Sequence, residues 1–386
     1  MDDKLIVFIL DDYPTEKSNG CIFVKNIIDE IVNRNVKCVV VAPRILTIKR
    51  LLKKHCYHSL SQNNEGVFYD VYRPFYLHLS SKRFFMRFSM HNHYKAVYKV
   101  LKRNGISPDY VYGHFIYQNG ITAARIGKLF GIPAYCAIGE NCTRLQKGSQ
   151  PYATGLSFCK WSQYLSMLTG VISVSQYNMK LAMESGFIHE NTNFLIAPNG
   201  IDPKHFYKMD RETARRKLGI PNDLFVVAFT GAFSKRKGFY ELCDALNMCD
   251  EVYSLFLGKG DNCPSCKNIL FCNSVPNREL VYYLNAADIF VLPTKGEGCC
   301  NAIIEALACG LPVVSSNQPF NDGILDDNNS IRIDCNQPES IRDAILLLKN
   351  DLDLRNQLSI GAIKSIYGKD NKSRAERILQ FMGLNN

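Results

Sequence analysis

Between Val71 and Pro108 the chain has no acidic residue, although 36 of its 386 residues are aspartate or glutamate. Its first residues do not read as a secretion signal either. "MDDKLIVFIL" puts acids where such a signal needs basic residues, and its apolar run is too short to span a bilayer. A cytoplasmic location is therefore expected. No repeat at solenoid spacing and no low-complexity tract is visible, which excludes a repeat array. No helix-turn-helix, zinc-finger or RNA-binding signature accompanies the net charge of +10, so nucleic acid is not the expected partner. The one D-x-D triplet, Asp351-Leu352-Asp353, falls in a C-terminal helical region and reads as a solvated helix end rather than a Mg2+ site. Cys263 and Cys266 have metal or redox spacing, with Cys272 nearby, but no second pair completes a zinc ribbon. No metal and no other cofactor is expected.

What remains is a globular composition, 46% hydrophobic and 21% charged, on a chain long enough for two domains. The 15 cysteines sit mostly inside apolar runs such as "KCVVVAP" and "PAYCAIG", where cysteine acts as a small hydrophobe, so they are expected reduced and buried. The acid-free segment carries Arg73, Lys82, Arg83, Arg87, Lys95, Lys99, Lys102 and Arg103, interleaved with Phe84, Phe85, Phe88 and Tyr94. Cations and aromatics mixed in this way suit an anionic membrane surface, at about 1 kcal/mol per well-placed cation. A solvated helix face over the core accounts for the same pattern equally well.

Short apolar runs alternate with helix-like segments twice over. "KLIVFIL", "KCVVVAP", "YVYGHF", "PAYCAIG", "GVISVS" and "FLIAPNG" read as buried parallel strands of one doubly wound α/β domain. After "PNGIDPKHFYKMD" the pattern restarts with "LFVVAFTG", "YSLFLGKG", "ILFCNSV", "DIFVLPT" and "PVVSS", and the chain ends in helices. The expected break lies at residues 200–210. Two such domains leave a cleft, with ligands beyond the carboxyl ends of the strands.

Lys295–Val314, "KGEGCCNAIIEALACGLPVV", lies at one such end. "KGEG" is a loop after a strand, and "NAIIEALACG" is a helix whose first turn offers free amides and the positive end of its dipole. Gly298 admits a phosphate close to the backbone, so that a diphosphate could rest on the amides of Cys299, Cys300 and Asn301. Glu305, a turn further on, is placed for sugar hydroxyls, as acidic residues are for ribose in dinucleotide folds. Glu297 stays in the loop beside whatever the phosphate carries. The two cysteines read as small fillers.

The spacing from Glu297 to Glu305 resembles the hallmark of the retaining nucleotide-sugar glycosyltransferases of family 4, which have the GT-B fold. Five further stretches resemble that family in the right order: "YPTEKSNGCIFV" (Tyr13–Val24) its N-terminal glycine loop, "YGHF" and "IGEN" its N-domain loops, "PNGID" (Pro198–Asp202) the approach to its second domain, and "TGAFSKRKG" (Thr230–Gly238) its basic phosphate loop. The resemblance implies an α/β architecture of two Rossmann-like domains. Residues 1–200 would form the acceptor side, with residues 370–386 packing back on it, and residues 201–369 would bind the nucleotide sugar.

By the same resemblance His114, Lys237 and Glu297 are catalytic, and Lys237 neutralises the departing diphosphate. Gly20, Gly231, Arg236, Gly298, Cys299, Cys300, Asn301 and Glu305 bind the donor, while Asn19, Glu140 and Asn141 face the acceptor. Ala232 stands where the family commonly has an arginine, so Arg236 or Lys235 is expected to supply that charge. "NQPFNDGIL" replaces the family's usual pair of glycines after "PVVSS". The implied reaction is transfer of a sugar, with retention, from a nucleotide diphosphate sugar, UDP before GDP. The acceptor would be a saccharide hydroxyl, lipid-linked, at the inner face of the membrane, in capsule, O-antigen or exopolysaccharide assembly. Two alternatives share the fold: an epimerase or phosphorylase, and a non-catalytic binding module.

Overall fold

The computed structural model describes residues 4–15, 20–47, 56–79, 83–146 and 163–384. Asn19 and Lys82 lie outside them, as do the side chains of Arg83 and Phe84. The chain divides into two compact units, Met1–Pro198 with Asn371–Asn386, and Asn199–Asp370.

The first unit contains β1 (Leu5–Ile9), α1 (Ile22–Val32), β2 (Lys37–Val41), β3 (Arg44–Ile45), β4 (His58–Gln62), β5 (Phe68–Tyr72), β6 (Phe75–Tyr76) and α2 (Arg83–Arg103). It continues with β7 (Tyr110–His114), α3 (Ile121–Phe130), β8 (Ala134–Ile138), α4 (Cys142–Leu145), β9 (Gly170–Ser173), α5 (Gln176–Glu184) and β10 (Phe194–Ile196). Its main sheet has the order β10-β9-β8-β7-β1-β2-β5-β4, parallel except for β4, which pairs antiparallel with β5. The central strands are apolar on both faces because helices cover both, and Ile6 through Ile9 are at most 1% exposed. The β4–β5 hairpin and β3–β6 are additions to the expected alternation. β4 alternates between exposed and half-buried residues, so its sequence "HSLSQ" has no apolar run to betray it.

α2 turns Met90, Val97, Val100 and Leu101 into the core and leaves Phe85, Phe88, Lys95, Lys99 and Lys102 exposed. Arg73 differs from the other cations of the acid-free segment. It is buried and donates to Ser59 Oγ at 2.6 Å. No helix among the described residues is long and apolar enough to cross a membrane.

The second unit contains α6 (Arg211–Leu218), β11 (Phe225–Thr230), α7 (Phe239–Asn247), β12 (Val252–Leu257), β13 (Ile269–Asn273), α8 (Asn277–Ala286), β14 (Ile289–Leu292) and α9 (Asn301–Ala308). β15 (Val313–Ser316), β16 (Ser330–Ile333), α10 (Pro338–Asn350) and α11 (Leu352–Ile366) complete it. Its all-parallel sheet has the order β13-β12-β11-β14-β15-β16. Counted from its own first strand this is 3-2-1-4-5-6, the dinucleotide-binding order, whose switch point lies between β11 and β14. α6 is pinned by Arg215, fully buried, which donates to Asp288 Oδ2 at 2.8 Å and through Nε to the carbonyl of Ala286. Asp351 caps α11, accepting from the Leu354 amide at 2.9 Å.

α12 (Asn371–Phe381) returns to the first unit, where Ala375, Ile378 and Leu379 join the core around α1 and Arg34 pairs with Glu376 at 2.5 Å. Among the described residues the cysteines are free thiols, and no three His, Cys, Asp or Glu side chains converge as a metal site.

Candidate active site

The chemistry-bearing side chains of the second unit gather at its switch point. β11 ends at Thr230, and Gly231 follows with φ of 145°, a conformation that glycine alone adopts without strain. A turn of 3-10 helix, Lys235–Lys237, then leads into α7 through Gly238. Gly238 has φ of 66°, and a Cβ there would fall 2.0 Å from the Pro293 carbonyl oxygen. The loop after β11 is thereby pressed against the loop after β14, and the two exchange side chains.

Glu297 is the hub. Its Oε1 lies 2.7 Å from Lys237 Nζ and accepts from Arg236 Nη1 at 2.9 Å and Thr294 Oγ1 at 2.8 Å. Oε2 makes no hydrogen bond among the described residues. Arg236 also donates to the Gly296 carbonyl at 2.9 Å, so it is the cation tied to this loop, whereas Lys235 is exposed. Lys237 is only 12% exposed, and burial opposes its charge. The neighbouring Cys300 sulfur and Glu297 carboxylate outweigh that and hold its pKa above the usual lysine range. Burial pushes the Cys300 thiol itself up to about 11, so at neutral pH it is uncharged and Glu297 supplies the attraction.

α9 starts at Asn301 without a side-chain cap. The amides of Asn301 and Ala302 have no acceptor among the described residues, which leaves donors and dipole pointing out of the helix start. Gly298 lies buried just before it. The two cysteines are more than fillers: Cys300 Sγ is 3.8 Å from Lys237 Nζ, and Cys299 Sγ accepts the Asn199 amide at 3.4 Å. Asn199 also donates through Nδ2 to Asn301 Oδ1 at 2.7 Å, while its own Oδ1 is buried without a hydrogen bond among the described residues. In the sequence Asn199 stands out only as part of "PNGID", the stretch that resembles the approach to the second domain. Here it fixes the start of α9. The carboxyl of Glu305, half-buried one turn along, makes no hydrogen bond or ion pair among the described residues, and burial raises its pKa to about 7.

In the first unit the switch point lies between β1 and β7. His114 closes β7 and is fully buried among Phe23, Tyr112 and Phe115, with neither ring nitrogen hydrogen-bonded among the described residues. Burial, and then Arg374, lowers its pKa to about 3, so the imidazole is neutral. Gly20 packs against the Asp12 carboxylate. Glu140 is buried and accepts the Ile116 amide at 2.5 Å, and Asn141 caps α4 by accepting the Thr143 amide at 3.0 Å. Lys237, Arg236, Glu297, Cys300 and Asn301 are thus brought together in one unit, and His114 and Glu140 share the other.

Residues 210–365 match the family described as glycosyl transferases group 1. A Bacillus subtilis glycosyltransferase named for teichuronic acid biosynthesis, TuaC, is 25% identical over 327 residues, covering 81% of this chain and 80% of its own. The N,N'-diacetylbacillosaminyl-diphospho-undecaprenol alpha-1,3-N-acetylgalactosaminyltransferase of Campylobacter jejuni is 27% identical over 54% of this chain and 58% of its own. Anabaena HepE in complex with UDP-glucose superimposes with a TM-score of 0.70 at 16% identity, over 99% of this chain and 100% of that one. The second unit thus carries the match to the group 1 glycosyltransferases, and the two parallel-sheet, Rossmann-like units of the chain have the GT-B fold.

Proposed function

We propose that this glycosyltransferase moves a sugar, with retention, from a UDP-sugar to a hydroxyl of a lipid-linked saccharide in cell-surface polysaccharide assembly. The observation that carries the reading is the cation pair Lys237 and Arg236 held on Glu297 beside the uncapped start of α9, at the switch point of a dinucleotide-type sheet. A diphosphate placed there meets the Asn301 amide and the Lys237 ammonium. Gly231 and Gly298 keep the approach open, and the loop of Cys299 and Cys300 shapes the pocket.

In the reaction the bond between the anomeric carbon and the phosphate oxygen breaks, and the acceptor oxygen bonds that carbon on the same face. The acceptor proton passes to the leaving phosphate. Lys237 and the helix amides hold the charge as it develops, the type of interaction worth most in catalysis. Glu297 Oε2, which makes no hydrogen bond among the described residues, takes a hydroxyl of the transferred sugar. Support for the donor is the UDP-glucose bound by HepE, and for the acceptor the undecaprenol-linked substrate named for the Campylobacter enzyme. The exposed cations and phenylalanines of α2 would rest on an anionic membrane at the cytoplasmic face.

Ligand-detected NMR with UDP-glucose, GDP-glucose and ADP-glucose, with and without chelator, tests the donor. Binding of UDP-glucose that survives the chelator is expected; binding of none by the folded protein would sink the proposal.

Glu305 adds a pH dependence. Its folded carboxyl, at about 7 against an ordinary 4.5, keeps a proton that the unfolded chain would release. That contribution to stability is complete below the ordinary carboxyl range and is lost as pH rises through about 7. Ribose hydroxyls need the ionised form as acceptor. Affinity for UDP, taken as the ratio of wild type to Glu305→Gln, should therefore rise between about pH 6 and about pH 8. A flat ratio in calorimetric titrations would remove Glu305 from the ribose.

A further inference from the structure

Cys263 and Cys266, with their metal or redox spacing, take no part in the chemistry at the switch point. Cys266 is half-buried in the loop between β12 and β13, and one side chain of α7 fastens that loop. Asn247, which ends α7, donates through Nδ2 to the Ser265 carbonyl at 3.3 Å and accepts the Lys267 amide on Oδ1 at 3.1 Å. It thus grips the residues on either side of Cys266. Lys267 adds an ion pair to Asp250 at 2.8 Å, and the Asn268 carbonyl accepts the Ser254 amide of β12 at 3.0 Å.

Cys243 stands four residues before Asn247 on α7, so the two share a face of the helix one turn apart. A loop gripped by Asn247 therefore lays Cys266 over Cys243. Cys243 is 1% exposed in the core of the second unit, and Cys266 packs against that core. The two thiols meet as a hydrogen-bonded pair, and the pair is unsymmetrical. That bond, and then burial, raises the pKa of Cys243, whereas the same bond lowers the pKa of Cys266. Thiolate is the attacking species in disulfide exchange. Cys266 is thus the entry point and the sealed Cys243 the resolving thiol. Cys272, exposed on β13, feels both Cys263 and Cys266, so Cys263 and Cys272 are the competing partners.

We infer that Cys243 and Cys266 form a thiol modification site, which exchanges with small aliphatic disulfides and closes to a disulfide between α7 and the loop after β12. The Cys266 thiolate attacks one sulfur of the reagent, breaks its S–S bond and expels one thiolate, leaving a mixed disulfide. Cys243 then gives its proton to solvent and attacks the Cys266 sulfur, expelling the second thiolate. The protein loses two electrons and two protons, and the reagent ends as two thiols. The new bond clamps one end of a loop whose other end lies on the basic loop after β11. There the Phe233 amide donates to the Lys259 carbonyl at 3.0 Å, and a Cβ on Gly260 would fall 2.5 Å from the Phe233 carbonyl oxygen. Oxidation therefore braces the back of the turn that carries Lys237 without touching Lys237 itself. The exchange does not depend on which donor the second unit binds.

The test exposes the reduced full chain to glutathione disulfide at neutral pH, digests it in acid and maps its peptides by mass spectrometry. A Cys243–Cys266 crosslink is expected, with loss of both thiols and their return on treatment with dithiothreitol. Cys243→Ala should stop the reaction at the mixed disulfide, so that Cys266 keeps its glutathione, and Cys266→Ser should lose crosslink and adduct together. Circular dichroism establishes that both variants fold, and the wild-type map is informative without them. A crosslink from Cys263 to Cys266 or to Cys272 would overturn the inference. So would a wild-type chain that retains glutathione on Cys266 as Cys243→Ala does, or one in which Cys263 reacts and Cys266 does not. Stoichiometric binding of Zn2+ that protects Cys243 and Cys266 from the reagent would make the thiols a metal site and overturn it as well.

Discussion

Lys237→Ala is expected to lower turnover by about 10²-fold or more, the cost of removing one preorganised group that stabilises developing charge. The side chain is 12% exposed, and its ammonium sits 2.7 Å from Glu297 Oε1. It is therefore positioned before any donor arrives and loses little freedom when one does. Arg236 shares the same carboxylate oxygen at 2.9 Å but is 43% exposed, so Arg236→Ala should cost less. The check is the rate of UDP release from UDP-glucose by each variant at saturating donor, alongside its affinity for UDP. Near-normal turnover in Lys237→Ala would transfer the role to Arg236 or Lys235. A loss confined to affinity would make Lys237 a binding residue only.

Asp288→Ala is expected to destabilise the second unit by about 3–5 kcal/mol, the usual cost of breaking one side of a buried ion pair. Asp288 Oδ2 accepts from Arg215 Nη2 at 2.8 Å and from the Val226 amide at 2.7 Å, and its other oxygen pairs with Arg211. Arg215 is fully buried and spends Nη1 on the carbonyls of Asn222 at 2.8 Å and Leu224 at 3.0 Å. Without the carboxylate, a guanidinium stays in the interior with only dipoles around it, and the Val226 amide loses an acceptor. Urea unfolding followed by circular dichroism should show a lower midpoint for this variant, with Asp288→Asn between it and wild type. An unchanged midpoint would mean that water reaches Arg215 and replaces the pair.

Parallel strands buried on both faces were readable because each is a run of apolar residues bounded by turns, as with "LIVFI" and "IFVL". The loops that follow them were readable because glycines and charges interrupt those runs. β4 was not, since a half-exposed edge strand alternates and looks like loop. The Arg215–Asp288 pair joins residues 73 positions apart, and neither is unusual in its local sequence. Asn199 showed only as one residue of "PNGID", because the bonds that give it a role go to residues about a hundred positions later. Local chemistry thus reached the loops, and pairs assembled by tertiary packing escaped it.

The first unit is made from both ends of the chain, and the second is wholly enclosed between Pro198 and Asn371. During synthesis on the ribosome, the second unit has all its residues before the first has its last helix. Until residues 371–384 emerge, the apolar flank of α1 that accepts Ala375, Ile378 and Leu379 has nothing to cover it. A polypeptide truncated by even those few residues would carry a complete second unit and an unfinished first. The tail so often treated as expendable is here the final piece of the N-terminal core.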